Sequence, residues 1–225
     1  MATVRPETVP EALWRRFTAG GVPATLRAGT FLWTPGDDVA GSSYLVTTGL
    51  MRLYHPTSSG QVVTLLAVGA GGFLGYRLGT DDQAHITGAE ALTDAALLTL
   101  RPEQVAHWLG GQDEVGRAFL GWLYEDLLAQ LSDTQLRLGL EHSSAAARVA
   151  HALLALDRQS LLSRMSRAHI AELSNLSVET TVRTISQFVS EGRLERSRFV
   201  NLSEAERLAL ADLLEPYALS LTPSS

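Results

Sequence analysis

Between residues 177 and 187, in the stretch SVETTVRTISQ, the chain places hydroxyls, a carboxylate, a guanidinium and an amide at Ser177, Glu179, Thr180, Arg183 and Gln187. At 100° per residue, Glu179, Thr180, Arg183, Thr184 and Gln187 share one side of a helix. They lie opposite a stripe of Val178, Val182, Ile185 and Val189 that is expected to face a core. In a DNA major groove an arginine can grip guanine O6 and N7 while a nearby carboxylate accepts from cytosine N4. The same residues also admit a plainer reading: a surface helix with an i, i+4 ion pair from Glu179 to Arg183, contributing roughly 0.2–0.5 kcal/mol.

A formal net charge of -6 argues at first against a nucleic-acid partner. The charge is unevenly spread, however. Residues 158–198 hold seven Arg (158, 164, 167, 183, 193, 196 and 198) against four Glu (172, 179, 191 and 195), so this segment is +3 and the rest -9. A locally basic face on an acidic body suits a protein that meets phosphates with one surface only. Arg167, Arg193, Arg196 and Arg198 are the candidates for those contacts. All 18 basic residues are Arg, which reads as a genomic composition bias without functional weight.

The elements that must position these side chains follow from caps and breaks. Ser166 caps a helix running to Ser174, and Ser177 caps a second running to Glu191, where Gly192 stops it. Only three or four residues separate the two, which is helix-turn-helix spacing. The segment LERSRFVNL then reads as two short strands of a wing turning at Arg196 and Ser197, and Ser203 caps a last helix over 204–216. The tail SLTPSS is expected to be disordered. Upstream, residues 144–157 form an amphipathic helix through Val149, Leu153, Leu154 and Leu156.

Before that lies a long helix from Asp113 to about Leu140. Leu120, Tyr124, Leu127, Leu131, Thr134 and Leu138 are spaced 4, 3, 4, 3, 4, the seam of a two-stranded coiled coil, which predicts a homodimer. Phe119, Trp122 and Leu123 lie to the side of this seam, where they can pack on the preceding unit. That unit, from Pro23 to Leu100, is all β in texture. The runs TFLW, SYLVTT, LMRLYH, QVVTLLAV and DAALLTL are separated by Gly- and Asp-rich breaks, and glycines 36, 49, 60, 71, 72 and 75 are expected to take positive φ. A short helix with Leu13, Trp14 and Phe17 on one side precedes it, and another over 101–109 follows. The resulting expectation is an α+β chain in three parts: an effector-type β-roll over 1–111, a dimerisation helix over 112–141 and a winged helix-turn-helix over 142–225.

Several classes of chemistry are set aside. With no cysteine there are no disulfides and no thiolate metal centres. The six histidines have no close pairing at i+2, i+3 or i+4, so no metal site and no cofactor are expected. No G-x-S-x-G, Walker A or H-E-x-x-H motif occurs, so no enzyme is expected. VVTLLAVGAGGFLGYRLG with Glu90 beyond it superficially resembles a dinucleotide fingerprint. Leu74 stands at the third glycine, and no helix follows to hold a pyrophosphate. No apolar run approaches the roughly 20 residues of a membrane span, and no signal peptide opens the chain, which predicts a soluble cytoplasmic protein. The competing reading is a dimeric ligand sensor whose winged helix serves protein contact.

The stretch SRAHIAELSNLSVETTVRTISQFVSEGRL resembles the helix-turn-helix of the bacterial Crp/Fnr transcription regulators, with Glu179, Thr180 and Arg183 matching that family's E-T-x-x-R recognition motif. The order of elements agrees over nearly the whole chain. The resemblance implies a sequence-specific regulator, homodimeric on a palindromic site, with double-stranded DNA and RNA polymerase as partners and Arg183 and Glu179 reading a G·C pair. Val178 stands where the cyclic-AMP-responsive branch has a second base-reading Arg, and Val182 where the Fnr branch has Ser. Asn175 occupies the turn position usually held by Gly.

GGFLGYRLGTDDQAHITGAEAL is similar to the phosphate-binding cassette of the same family's sensor domain. After Gly75, Tyr76 replaces the Glu that holds a ribose, and His85 and Ile86 replace the Arg-Ser pair that binds a cyclic phosphate. Arg77 remains a cation of the segment, although alternation points it to the face opposite Tyr76. Asp133 and Thr134 stand where an adenine-contacting Thr-Ser pair would be. The loss of the fixed guanidinium predicts that DNA binding does not depend on cyclic AMP. The alternative is a sensor whose DNA binding requires a cyclic nucleotide or another small ligand.

Overall fold

The computed structural model describes residues 4–38, 41–58, 60–75, 84–111, 113–195 and 201–218. The strands expected around Arg196 and Arg198, the tail, and Tyr76 and Arg77 lie outside the described residues. The chain divides into two compact units, 1–132 and 133–225.

The first unit opens with α1 (Glu11–Gly20), whose Leu13 and Phe17 are buried. Among the described residues eight strands follow: β1 (Val22–Leu26), β2 (Phe31–Trp33), β3 (Ser43–Thr48), β4 (Met51–Pro56), β5 (Val62–Val68), β6 (Phe73–Leu74), β7 (Gly88–Ala91) and β8 (Ala95–Leu100). They form two antiparallel four-stranded sheets, in the orders β1-β8-β3-β6 and β2-β7-β4-β5. The runs named from sequence coincide with β2, β3, β4, β5 and β8, whereas β1, β6 and β7 were not anticipated. GAEA in β7 has no β-branched or aromatic residue, and its place is set by pairing with β4 on one side and β2 on the other. Gly72 was expected at positive φ and is not. Its constraint is proximity instead, because an added Cβ would stand 2.4 Å from Val68 Cγ1.

Strand alternation sorts the apolar side chains into two cores. Val46 and Leu97 join Trp33, Met51, Leu66 and Ala89 between the sheets. Their chain neighbours Leu45 and Leu98 point the other way, toward Phe17, Val105 and Phe119. That second core is closed by α1, α2 (Pro102–Gly110) and the first part of α3 (Glu114–Leu140). Phe119 lies within 5.5–6.2 Å of the rings of Trp108, Trp122, Phe17 and Phe73. This is where Phe119, Trp122 and Leu123 were expected to pack. Asp126 and Gln130 of α3 also hold the backbone of β6, with the Phe73 N–H donating to Asp126 at 3.2 Å and Gln130 donating to the Phe73 carbonyl at 2.9 Å.

On its outer side α3 leaves Leu120, Tyr124, Leu127, Leu131 and Leu138 exposed, with Tyr124 at 61% and Leu131 at 53%. Thr134, in the same seam, is half-buried. The helix is shared between the two units, since its last two turns belong to the second.

The second unit continues with α4 (Ala145–Arg158), α5 (Arg167–Ser174), α6 (Val178–Ser190), α7 (Glu204–Ala211) and α8 (Glu215–Ala218). The single helix expected over 204–216 is therefore two, broken at residues 212–214. Ser144, Ser166, Ser177 and Ser203 each accept a backbone N–H from the first turn of the helix they precede. Asp157 of α4 ties the later part of the unit down, accepting from the Leu202 N–H at 2.8 Å and pairing with Arg207 of α7 at 2.7 Å. Among the described residues no helix is long and apolar enough to cross a membrane.

Candidate nucleic-acid interface

The interface is built on the turn between α5 and α6. Asn175 adopts the left-handed conformation there, at φ 52° and ψ 45°, as expected of the residue that tolerates it best after glycine. The Leu176 N–H reaches back to the Ala171 carbonyl at 3.0 Å, closing the end of α5. Two buried or half-buried guanidinium groups complete the end. Arg137 donates to the Leu173 carbonyl at 2.7 Å, and Arg148 donates to Ser174 O at 2.8 Å and to Asn175 O.

The chain then enters α6 at Ser177, whose hydroxyl accepts the Thr180 N–H at 3.1 Å and donates to the Thr180 hydroxyl at 2.9 Å. The face that α6 buries is Thr181, Thr184, Ile185 and Phe188. This corrects the stripe inferred from sequence, from which the helix is rotated by roughly 80° at 3.6 residues per turn. Val178 is 49% exposed, Val182 and Val189 are half-buried, and Thr184, assigned to the outside, lies inside. Threonines tolerate that burial because each hydroxyl donates into its own helix: Thr181 to Ser177 O at 3.0 Å and Thr184 to Thr180 O at 2.9 Å. Phe188 outweighs the valines as the anchor of the helix.

The rotation leaves the open face to Val178, Glu179, Arg183, Ser186 and Gln187, with Thr180 half-exposed at its margin. Ser186 was missed by the sequence reading; once the buried face is fixed, it falls beside Glu179 in projection, on the side away from Arg183. Among the described residues neither Glu179 nor Arg183 has a side-chain hydrogen bond or ion pair, so the intrahelical pair of the plainer reading is not formed. Gln187 is engaged with Glu191 at 2.6 Å. Arg193 is divided between Glu191 at 2.9 Å and the Ala209 carbonyl at 2.9 Å, and Arg167 is half-buried. Arg196 and Arg198 lie outside the described residues.

The effector-pocket candidates are not brought to one place within a single unit. In the first, Gly75 takes φ 83° with the Ser42 carbonyl 2.6 Å from where a Cβ would sit. His85 stacks on Trp33, centroids 4.4 Å apart and planes at 15°. Ile86 is exposed, its carbonyl 3.0 Å from His55 Nδ1. Glu90, the acidic residue of the rejected dinucleotide pattern, pairs with Arg52 at 2.7 and 2.9 Å. In the second unit, Asp133 pairs with Arg137 at 2.7 Å and lies 3.0 Å from His151. Burial alone would raise the Asp133 carboxyl, but His151 and Arg137 beside it hold it well below the usual carboxylate range.

Two antiparallel sheets, a long helix and a capped helix-turn-helix with a polar outer face give the chain the architecture of a two-unit transcription regulator. Residues 23–110 match the family described as the cyclic nucleotide-binding domain, and residues 147–211 match the Crp-like helix-turn-helix domain. The cyclic AMP receptor protein of Thermus thermophilus is 31% identical over 157 residues, covering 69% of this chain and 71% of that protein. This chain belongs to the Crp/Fnr family of transcription regulators. A Crp/Fnr-family regulator structure from Thermus thermophilus superposes with a TM-score of 0.62 at 25% identity, covering 86% of this chain and 98% of that one. The structure of FixK2 from Bradyrhizobium japonicum shares the fold with a TM-score of 0.67 at 23% identity, covering 86% and 96%.

Proposed function

We propose that the protein is a homodimeric, sequence-specific DNA-binding regulator that reads a two-fold-related site with α6 and does so without cyclic AMP. The observation that carries this reading is the exposed pair Glu179 and Arg183, held on a capped helix with no internal partner among the described residues. Arg183 grips a guanine, Glu179 accepts from the cytosine of the partner strand, and Thr180 or Gln187 meets a base edge or phosphate. Ser177, Arg167, Arg193, Arg196 and Arg198 hold the backbone. Two copies of α6 enter successive major grooves about 34 Å apart, and the exposed leucine face of α3 supplies the second copy. The protein acts in the cytoplasm with RNA polymerase as its partner, as an activator, and catalyses no reaction.

A second reading, in which the roll must bind a cyclic nucleotide first, is favoured by the relative that bears the name cyclic AMP receptor protein. Against it, a buried cyclic phosphate requires a fixed cation, and the arginine position is taken by His85, stacked on Trp33. The adenine-facing position is taken by Asp133, already paired to Arg137.

Selection of sites from random DNA by the purified protein, with and without cyclic AMP, tests both readings. The expected result is the same palindrome in both arms and no calorimetric cyclic AMP binding at micromolar concentration. Enrichment only with the nucleotide, together with micromolar affinity, establishes the second reading. No palindrome in either arm refutes the first.

A further inference from the structure

The end of α3 is joined to the recognition turn by a buried ionic chain that the base-reading chemistry does not use. Asp133 and Arg137 sit one helical turn apart near the end of α3, paired at 2.7 Å. His151 of α4 is 2% exposed, and its Nε2 stands 3.0 Å from the other Asp133 oxygen. Arg137 passes beyond Asp133 to the Leu173 carbonyl at 2.7 Å, and Arg148 of α4 takes the next two carbonyls, Ser174 and Asn175. All three carbonyls lie in the last turn of α5 or the turn leading into α6, where helix ends leave acceptors unsatisfied and the helix dipole favours cations.

Stability is a poor explanation for this arrangement. Buried ion pairs roughly recover their desolvation cost and are often replaced by apolar residues without loss. Here the recovery is incomplete, because Arg137 Nη2 is buried with no hydrogen-bond partner among the described residues. What the chain of bonds supplies is direction. A guanidinium is a rigid fork, so Arg137 anchored by Asp133 through Nε fixes where its Nη1 meets Leu173 O. The turn that aims α6 is thereby indexed to the last two turns of α3, within the second unit.

We propose that Asp133 and Arg137, with His151 packed against them, are positioning residues for DNA reading: they set the angle of the recognition helix without touching DNA. The proposal rests on the DNA-reading function stated above. Losing the anchor leaves α6 folded and the arginines around it in place, but misaligned with the base edges.

The test measures Arg137→Gln and Asp133→Asn, each alone and with Arg183→Ala, on the selected palindrome and on random-sequence duplex. Circular dichroism and thermal melting serve as fold controls. Wild-type discrimination between the two DNAs first establishes DNA reading, so failure of that function is seen separately. For the single variants the expected result is about a 10-fold loss on the palindrome, little change on random duplex, and no further loss in the Arg183→Ala background. Arg137→Lys, which keeps charge but not the fork, restores only part of the loss. Equal losses on both DNAs, or losses that simply multiply with Arg183→Ala, overturn the proposal. If Arg137→Gln does not fold, the nearly isosteric Asp133→Asn carries the same comparison.

Discussion

Two helices of this protein expose opposite kinds of surface. Along α3 Phe119 and Trp122 are inside and Leu120, Tyr124, Leu127 and Leu131, spaced 4, 3, 4, face outward, whereas along α6 Ile185 and Phe188 are inside and Glu179, Arg183 and Gln187 face outward. An apolar stripe left in water calls for an apolar partner, and a periodic one calls for a helix with the same period. A face of donors and acceptors, of which Glu179 and Arg183 have no internal partner among the described residues, calls for a polar surface instead. The contrast underlies the proposed division of labour, in which α3 recruits a second copy of the chain and α6 makes the contact with DNA.

The contrast breaks most sharply at the seam. Leu131→Glu is expected to yield a folded monomer, seen by sedimentation, whose affinity for the palindrome falls about 100-fold because the two half-sites are no longer engaged together. A variant that remains dimeric refutes the assignment of the seam. Next in size, Arg183→Ala is expected to lose about 10- to 100-fold on the selected palindrome and to accept any base at one position per half-site, measured by binding to single-substitution duplexes. Unchanged affinity removes Arg183 from the base-reading set.

The turn that leads into α6 comes next. Asn175→Ala forces a Cβ-bearing residue without a local hydrogen-bonding side chain into the left-handed region and is expected to cost about 1 kcal/mol in melting experiments, while Asn175→Gly is tolerated. An equal cost for both variants points to the amide rather than the backbone.

The smallest effect is one of pH. Burial pushes the His151 imidazole below its ordinary value, with Asp133 opposing and Arg137 and Arg158 adding to the shift. The unfolded chain therefore binds the proton more readily, so stability declines as pH falls below about 6.5, down to the folded value. His151→Gln is expected to flatten that slope in pH-dependent melting, and an unaltered slope assigns it to other groups.

The sequence made legible what depends on local punctuation: the caps Ser166, Ser177 and Ser203, the left-handed Asn175 and the apolar rhythm of α3. It misled where tertiary packing overrides residue type. Thr181 and Thr184 count as polar in any periodicity, yet they are buried because their hydroxyls are satisfied by the helix itself. Weighting valine over threonine and phenylalanine therefore turned α6 the wrong way. In the same fashion β7 is a strand because its neighbours pair with it, which four residues of Gly, Ala and Glu do not announce. The roles of Asp133, Arg137 and Arg148 were illegible because, beyond the i, i+4 pair of Asp133 and Arg137, their partners lie on α4, on α5 and in the turn after it, and three of those groups are backbone carbonyls, which carry no residue signature.

The grip of Asp126 and Gln130 on Phe73 has a consequence for association as well as for packing. β6 is the outermost strand of its sheet, and such an edge offers its unpaired amide and carbonyl to any passing strand. Here both groups are occupied by side chains of a helix. This edge is closed to strand addition at Phe73, which guards that side of the sheet against edge-to-edge aggregation.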